Sequence, residues 1–203
     1  MASKLRVNSI LPVDGAPTGG GGGIIQVVQT VKKDRTTIQS ATLTDITGMS
    51  VTITPTSTSS KVLIRYCLSV FTNNQYWSMR LLRGNDRTIF IGDENSNATS
   101  QQRGSFGSYM SSYVDGRSVT QEFLDSPSTT SATTYKLQAH TPYSASYIIG
   151  INNSPTQDNY TYMNMCVSTI TAMEISASCQ NSEPIESYQE TDYHLEVVVV
   201  LFK

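Results

Sequence analysis

Side chains that commonly carry catalysis or bind metals are scarce in this sequence. Its 203 residues include two histidines, His140 and His194, and three cysteines. Neither histidine lies in a motif that would join it to a serine and a carboxylate for nucleophilic catalysis. Residues 93–97 imitate the start of a calcium-binding loop, but Ala98 stands at the glycine position and Gly104 replaces the terminal bidentate glutamate. The pattern predicts a solvated loop and no metal site.

Four aspartates could supply the paired carboxylates that glycan cleavage requires. Each lies beside or close to glycine, asparagine or proline, where turn formation already accounts for an aspartate. The five consecutive glycines at 19–23 lack the Gly-Lys-Ser/Thr ending of a phosphate-binding loop. We therefore expect no enzymatic activity and no cofactor, with a glycan-degrading spike domain as the less favoured alternative. The four aspartates are Asp86, Asp93, Asp115 and Asp125.

The cysteines share no CxxC spacing and are odd in number. Cys67 lies inside an apolar run, and Cys166 follows two methionines at 163 and 165. Both contexts are typical of buried thiols, although a bridge between Cys166 and Cys179 is an open alternative. We expect the chain to be made in a reducing cytoplasm.

Charge content argues against a nucleic-acid partner, and the lack of a long apolar segment argues against membrane insertion. Charged residues make up 15% of the chain, against about 25% in average soluble proteins. Fourteen Lys and Arg nearly balance sixteen Asp and Glu, which argues against binding to nucleic acid by bulk charge. No segment approaches the roughly 20 consecutive apolar residues that cross a membrane. We expect neither a nucleic-acid partner nor membrane insertion.

The elements that must position any site are predicted to be strands. Residues 49–54 alternate apolar and polar side chains and end before Pro55, as a half-buried strand does. The Gly84-Asn85-Asp86 sequence between two further segments predicts a hairpin. Turn residues recur every 8–12 residues or so, the pattern of an all-β, jelly-roll-like antiparallel β-sandwich. The predicted strands cover 24–31, 49–54, 61–71, 76–82, 87–91, 107–114, 118–124, 134–139, 146–151 and 167–175.

Composition divides the chain into three parts. Residues 1–23 form an N-terminal arm and a glycine-rich hinge, since consecutive glycines lose the most entropy on ordering. Residues 24–176 form the sandwich. Residues 177–203 form an acidic extension that ends in a strongly apolar strand, which must pair within its own sheet or with a neighbouring subunit. The hinge is Gly19, Gly20, Gly21, Gly22 and Gly23, and the inter-subunit strand is assigned to Leu195, Val197, Val199 and Leu201.

Tyrosines are the best candidates for contacting a ligand. They account for eleven of the seventeen aromatic residues, and many lie among Ser and Asn, a composition typical of adaptable recognition surfaces. The alternative is that most of them line the sandwich core and a trimer axis. The loops at 71–77, 93–104 and 140–146 are the predicted ligand-facing rim. Its assigned residues are Tyr76, Trp77, Asn95 and Tyr143.

Several segments together resemble virion surface proteins of tailed bacteriophages, particularly cyanophages. They are the Gly-rich run followed by 24–29, the stretch 45–64 with its Thr-Pro-Thr-Ser-Thr-Ser-Ser-Lys sequence, 123–137, and 168–175. The resemblance covers about 24–176. It implies a non-enzymatic structural protein of the virion with a homotrimeric β-sandwich, most simply a tail or head fibre. A capsid decoration (cement) protein or tail connector is the alternative, because 177–203 departs from the usual ending.

The resemblance also implies partners. The segment at the N-terminus is similar to those that attach such proteins to the particle, so other virion proteins are expected to bind the arm. The sandwich would then face a host-surface glycan or protein. The assigned attachment residues are Lys4, Leu5, Arg6, Val7 and Ile10.

Overall fold

A computed structural model describes residues 23–72, 76–85, 87–90, 92, 103–110, 116–154 and 165–176. Within these ranges the chain forms eleven strands and no helix. The strands are β1 (Ile24–Lys32), β2 (Thr36–Ile38), β3 (Thr44–Ile53), β4 (Lys61–Thr72), β5 (Tyr76–Arg83), β6 (Arg87–Phe90), β7 (Phe106–Tyr109), β8 (Gly116–Asp125), β9 (Thr133–His140), β10 (Ile149–Ile151) and β11 (Ser168–Ile175).

The first sheet, here called sheet A, is built around β4. One edge of β4 pairs with β8 along ten residues, from Val62–Asp125 to Phe71–Gly116. The other edge pairs with β11 over 61–67 and with β10 over 70–72. Strands β1 and β2 lie outside β11 and β10 respectively. All these pairings are antiparallel, so sheet A is four strands wide, with β1 and β8 at opposite edges.

The second sheet, sheet B, has β5 and β9 at its centre. β9 pairs with β3 on one side and with β5 on the other. The free edge of β5 pairs with β7 near Tyr76 and with β6 near Arg83. Every pairing is again antiparallel. The antiparallel pairing of β5 and β6 confirms the predicted hairpin, in which Gly84 adopts a φ of +69°, a left-handed conformation that favours glycine.

Alternating side chains of both sheets meet in one apolar core. In β4 the residues at even positions 62–70 are buried while their odd neighbours face outward. β9 supplies Tyr135, Leu137 and Ala139 from the facing sheet. Burying each of these larger side chains contributes about 1.5–3 kcal/mol. The all-β antiparallel sandwich predicted from the sequence is confirmed.

The predicted strands differ from the structure in four details. The strand predicted at 107–114 ends at Tyr109, and 111–114 lie outside the described residues. Sequence reasoning missed β2, because three residues are too few to show a periodicity. It also began β3 at 49, whereas the strand begins at Thr44 and has an irregular register between Asp45 and Ser50 that interrupts the alternation. The segment from 146 to 148 precedes β10 and is not part of it.

Candidate binding surface

The sandwich has two distinct ends. β1 begins and β11 ends at one of them, where the Ser176 backbone nitrogen donates to the Gly23 carbonyl at 3.2 Å. This end, the terminal end, therefore holds both points at which the described domain joins the rest of the chain. At the opposite end lie Tyr76, which begins β5, and the loop that follows His140. We call this second end the tyrosine end.

Two tyrosines of the tyrosine end lie on neighbouring strands. Tyr76 of β5 and Tyr109 of β7 face each other in the register of sheet B. Their ring centroids are 4.7 Å apart, with planes inclined by 48°. Both side chains are about half exposed. Paired rings of this kind present a rigid, amphipathic surface with little entropy left to lose on binding.

A second tyrosine pair lies in the β9–β10 loop. Tyr143 is 76% exposed, and its ring centroid lies 6.2 Å from that of Tyr147. The loop is fixed from beneath by Thr141, which is fully buried. Its backbone nitrogen donates to the Ser40 carbonyl at 2.8 Å, and its hydroxyl lies 2.8 Å from the Ser144 carbonyl. The exposed Tyr143 ring and the half-buried Tyr147 ring therefore lie on a loop that is held by hydrogen bonds.

The structure corrects one residue assigned to the rim. Trp77 is 1% exposed and lies in the core, where its ring centroid is 5.4 Å from that of Phe106. The reason is strand alternation, since Trp77 shares the inward-facing side of β5 with Met79 and Leu81. Tyr76 and Tyr143 are exposed, and their contact with a ligand stays a prediction. Asn95 lies outside the described residues.

His140, one of the two histidines of the sequence, is buried. Its side chain faces outward from sheet B but is covered by the loop at 39–43. The ring Nδ1 lies 3.0 Å from the Ala41 carbonyl. Burial under this loop explains why a polar residue at the end of a strand is only 5% exposed. His140 therefore stabilises the tyrosine end without being part of its surface.

A buried carboxylate fixes the terminal end. Glu174 of β11 is fully buried, and its Oε1 accepts hydrogen bonds from the Thr56 backbone nitrogen and Thr56 hydroxyl, both at 2.7 Å. Its Oε2 accepts a hydrogen bond from Gln26 Nε2 at 2.8 Å. Burial opposes ionisation of Glu174, but these hydrogen bonds outweigh it and lower its pKa to about 2. β1, the β3–β4 loop and β11 are thereby joined where the chain enters and leaves.

Searches against known proteins do not identify a family. No protein-family model matches the chain. No curated protein matches its sequence. Among solved structures, it is similar to a chain in the structure of infectious bursal disease virus, Gx strain, with 12% identity and a TM-score of 0.37. The match covers 85% of this chain and 43% of that one, so this chain spans less than half the length of its structural neighbour.

The remaining assigned residues fall outside the described part of the chain. This applies to the attachment residues Lys4, Leu5, Arg6, Val7 and Ile10, to the hinge residues Gly19, Gly20, Gly21 and Gly22, and to Leu195, Val197, Val199 and Leu201. Gly23 is described and exposed. Cys179 also lies outside, so the alternative of a Cys166–Cys179 bridge stays open. Cys67 and Cys166 are both half-buried, not buried as expected. Cys67 is half-buried because it occupies an outward position of β4.

Two features are absent from the described residues. Within them, no group of three histidine, cysteine, aspartate or glutamate residues is placed to hold a metal ion. Nor does this part of the chain contain a helix long and apolar enough to cross a membrane.

The outer faces of the two sheets differ in character. On sheet B, Asp45 receives bonds from Lys136 Nζ at 2.9 Å and Gln138 Nε2 at 2.6 Å, and the Thr52 and Thr134 hydroxyls are 2.7 Å apart. On sheet A the corresponding face exposes large apolar side chains beside polar ones. Its exposed large hydrophobic side chains lie on the two edge strands and are Ile25, Val27, Val31 and Leu124.

Sequence reasoning did not find these exposed apolar side chains. A signal was present in β1, where Ile24, Ile25, Val27, Val28 and Val31 place apolar residues on both sides of the strand. A strand at the edge of a sandwich that faced water on one side would alternate more strictly. Only the structure shows that β1 is an edge strand, paired on one side with β11.

Proposed function

We propose that this protein is a non-enzymatic structural protein of a bacteriophage virion, a tail or head fibre. Its N-terminal arm attaches to the particle, and a trimeric sandwich presents the tyrosine end to the host surface. The observation that carries this proposal is the separation of the two ends. The chain enters and leaves at the terminal end, held by the Ser176–Gly23 hydrogen bond, while the exposed tyrosines occupy the opposite end.

Tethering at one end leaves the other free to reach a distant surface. A protein held through its arm would expose Tyr76, Tyr109 and Tyr143 away from the particle. The phage assignment itself is supported by the resemblance of 24–29, 45–64, 123–137 and 168–175 to such proteins. The ligand class that suits these residues is a host-surface glycan or protein, which tyrosine rings bind by stacking and hydrogen bonding.

Binding to cells tests the role of the tyrosine end. In the Tyr76→Ser/Tyr143→Ser double variant, we expect binding of the labelled protein to intact host bacteria to fall at least tenfold. Both side chains are exposed, so we expect the free energy of unfolding to fall by no more than about 1.5 kcal/mol per site, the most that loss of the Tyr76–Tyr109 ring contact would cost. Gln138→Ala, on the polar face of sheet B, is the control and should bind like the wild type. Equal binding by the double variant would contradict an adhesive role.

Two further measurements separate attachment from adhesion and from catalysis. Removing residues 1–13 should prevent incorporation into particles while leaving cell binding by the free protein intact. Incubating host polysaccharide with the purified protein should leave its chain length unchanged. Shortened polysaccharide would favour a glycan-degrading spike domain instead.

A second candidate, a capsid decoration protein, is favoured by the exposed apolar side chains on the outer face of sheet A. Such a face would suit docking on a capsid lattice. A decoration protein would bind purified capsids and would not bind host cells, so the same cell-binding experiment distinguishes the two roles.

A further inference from the structure

The apolar side chains on the outer face of sheet A form a continuous row across all four strands. Val27 of β1 is in register with Met173 of β11, Met173 with Leu63 of β4, and Leu63 with Leu124 of β8. Val27 is 57% exposed and Leu124 45% exposed. The row thus runs from one edge of the sheet to the other, and its two ends are the most open to water.

The next row along the strands is polar. It consists of Gln29, Thr171, Arg65 and Glu122, again in register across the four strands. Gln29 Nε2 donates to the Thr171 hydroxyl at 2.8 Å. Rows on one face are about 6.6 Å apart, because side chains on a face recur every second residue. The face therefore carries an apolar row and a polar row at fixed heights along the strand direction.

We propose that this face is the surface through which copies of this chain associate, around a three-fold axis parallel to the strands. The inference rests on the proposed trimer and identifies its interface. Rotation about such an axis does not change the position of a residue along the axis. Each row of one copy therefore meets the same row of the next copy. The half formed by β1 and β11 of one copy then faces the half formed by β4 and β8 of the next.

This arrangement matches like with like at both heights. Val27 and Met173 of one copy meet Leu63 and Leu124 of the next, so apolar side chains cover one another. One row along, Gln29 and Thr171 meet Arg65 and Glu122, so the charged groups meet neutral polar partners and not like charges. A face that is complementary to itself when rotated in this way fits a second copy of the chain.

The face is also large enough to be shared between two neighbours. Four strands spaced about 4.8 Å apart and ten residues rising about 3.3 Å each give a surface of roughly 600 Å² before side-chain relief is counted. In the three-fold arrangement each half of this surface contacts a different copy, so every copy buries the whole face against two partners. The polar face of sheet B offers no such surface, because its side chains already bond to one another.

The proposed axis agrees with the two ends of the sandwich. Because the axis is parallel to the strands, all three terminal ends point one way along it and all three tyrosine ends point the other way. Three arms could then attach together at one point on the particle.

Sedimentation of charged variants tests the interface. For the wild type we expect a mass three times 22.2 kDa. For the Val27→Lys/Leu124→Lys double variant we expect monomers over at least a hundredfold range of concentration, with an unchanged far-ultraviolet circular dichroism spectrum. Thr52→Lys, on the exposed outer face of sheet B, is the matched control and should remain trimeric. A double variant that stays trimeric would overturn the proposed interface while leaving the proposed function intact.

Cross-linking tests the symmetry. In a background with serine at all three native cysteines, a Val27→Cys/Leu124→Cys variant treated with a short bis-maleimide should give covalent trimers. Each single-cysteine variant should remain uncross-linked. Covalent dimers alone would show a two-fold arrangement and overturn the three-fold axis. A wild type that is monomeric in both experiments would overturn the interface and the trimer of the proposed function together, whereas loss of cell binding by a trimeric protein would overturn only the function.

Discussion

Individual side chains in this protein take their role from their position in a strand more than from their type. Trp77 and Tyr76 are adjacent aromatic residues, yet one is in the core and the other is at the surface. Successive residues of a strand point to opposite faces, so adjacent positions never share an environment when one face is buried. The indole Nε1 of Trp77 is buried and has no hydrogen-bond partner among the described residues. Its contribution is therefore packing.

Substitutions of Trp77 should affect stability and not binding. We expect Trp77→Ala to lower the free energy of unfolding by about 3–5 kcal/mol, because it leaves a cavity in the core. Trp77→Phe keeps most of the volume and removes the unpartnered N–H, so its cost should be below about 1.5 kcal/mol. Urea unfolding followed by circular dichroism measures both. Trp77→Phe should bind host cells normally, and an unchanged unfolding curve for Trp77→Ala would contradict the core position.

At the scale of elements, the two sheets are joined by polar contacts at the terminal end as well as by the core. Asp125 ends β8 in sheet A and is nearly buried. Its Oδ2 accepts hydrogen bonds from Arg83 Nη1 of β5 at 2.7 Å and from Tyr135 Oη of β9 at 2.8 Å, both in sheet B. Burial is the larger cause, and the hydrogen bond to Asp125 the next, that raises the pKa of Tyr135. The phenol therefore stays protonated and donates its hydrogen bond. This aspartate, one of the four considered for catalysis, has a structural role.

Asp125 and Asp45 each form an ion pair but differ in burial. Comparing their substitutions therefore separates the effect of burial on stability from the effect of charge. We expect Asp125→Ala to lower the free energy of unfolding by about 3–5 kcal/mol, since it strands a buried guanidinium and a buried phenol. Asp45→Ala removes an ion pair with Lys136 of similar length, at 2.9 Å, but Asp45 is half exposed. Its cost should be about 0–1 kcal/mol. Urea unfolding of both variants is the measurement, and equal costs would contradict a sheet-joining role for Asp125.

For the molecule as a whole, the long-range contacts decide how the chain ends are fixed. Glu174 and Gln26 are 148 residues apart and lie on adjacent strands. Together with Thr56 they tie the first strand, an early loop and the last strand of the described domain at one end. A domain whose first and last strands are joined in this way can be held at the terminal end, and present the tyrosine end, without its strands separating.

This contact predicts how stability depends on pH. The pKa of Glu174 is lowered to about 2 from an ordinary value of 4.5, so its contribution is complete above pH 4.5 and is lost as the pH falls towards 2. We expect Glu174→Gln to lower the free energy of unfolding at pH 7 by about 2–3 kcal/mol, because charged hydrogen bonds are lost. Melting curves from pH 7 to pH 2 should show a shallower decline for the variant. Parallel curves would contradict an ionised Glu174.

The sequence by itself determined the low charge, the scarcity of catalytic side chains and the all-β class. Alternation in 49–54, the stop at Pro55 and the turn at Gly84 predicted strands and a hairpin because these signals depend only on residues close together in the chain. Of the residues assigned to the rim, Tyr76 and Tyr143 are exposed at the tyrosine end, whereas Trp77 lies in the core, and contact of the rim with a ligand stays a prediction.

Only the tertiary structure decided which strands are neighbours, which faces are covered and where the chain ends lie. The row from Val27 to Leu124 joins four strands spread over almost a hundred and fifty residues, and no local pattern encodes their register. His140 is buried by the loop at 39–43, again a distant segment. Burial and register depend on pairing between remote segments, and these pairings exist only once the whole sandwich has formed.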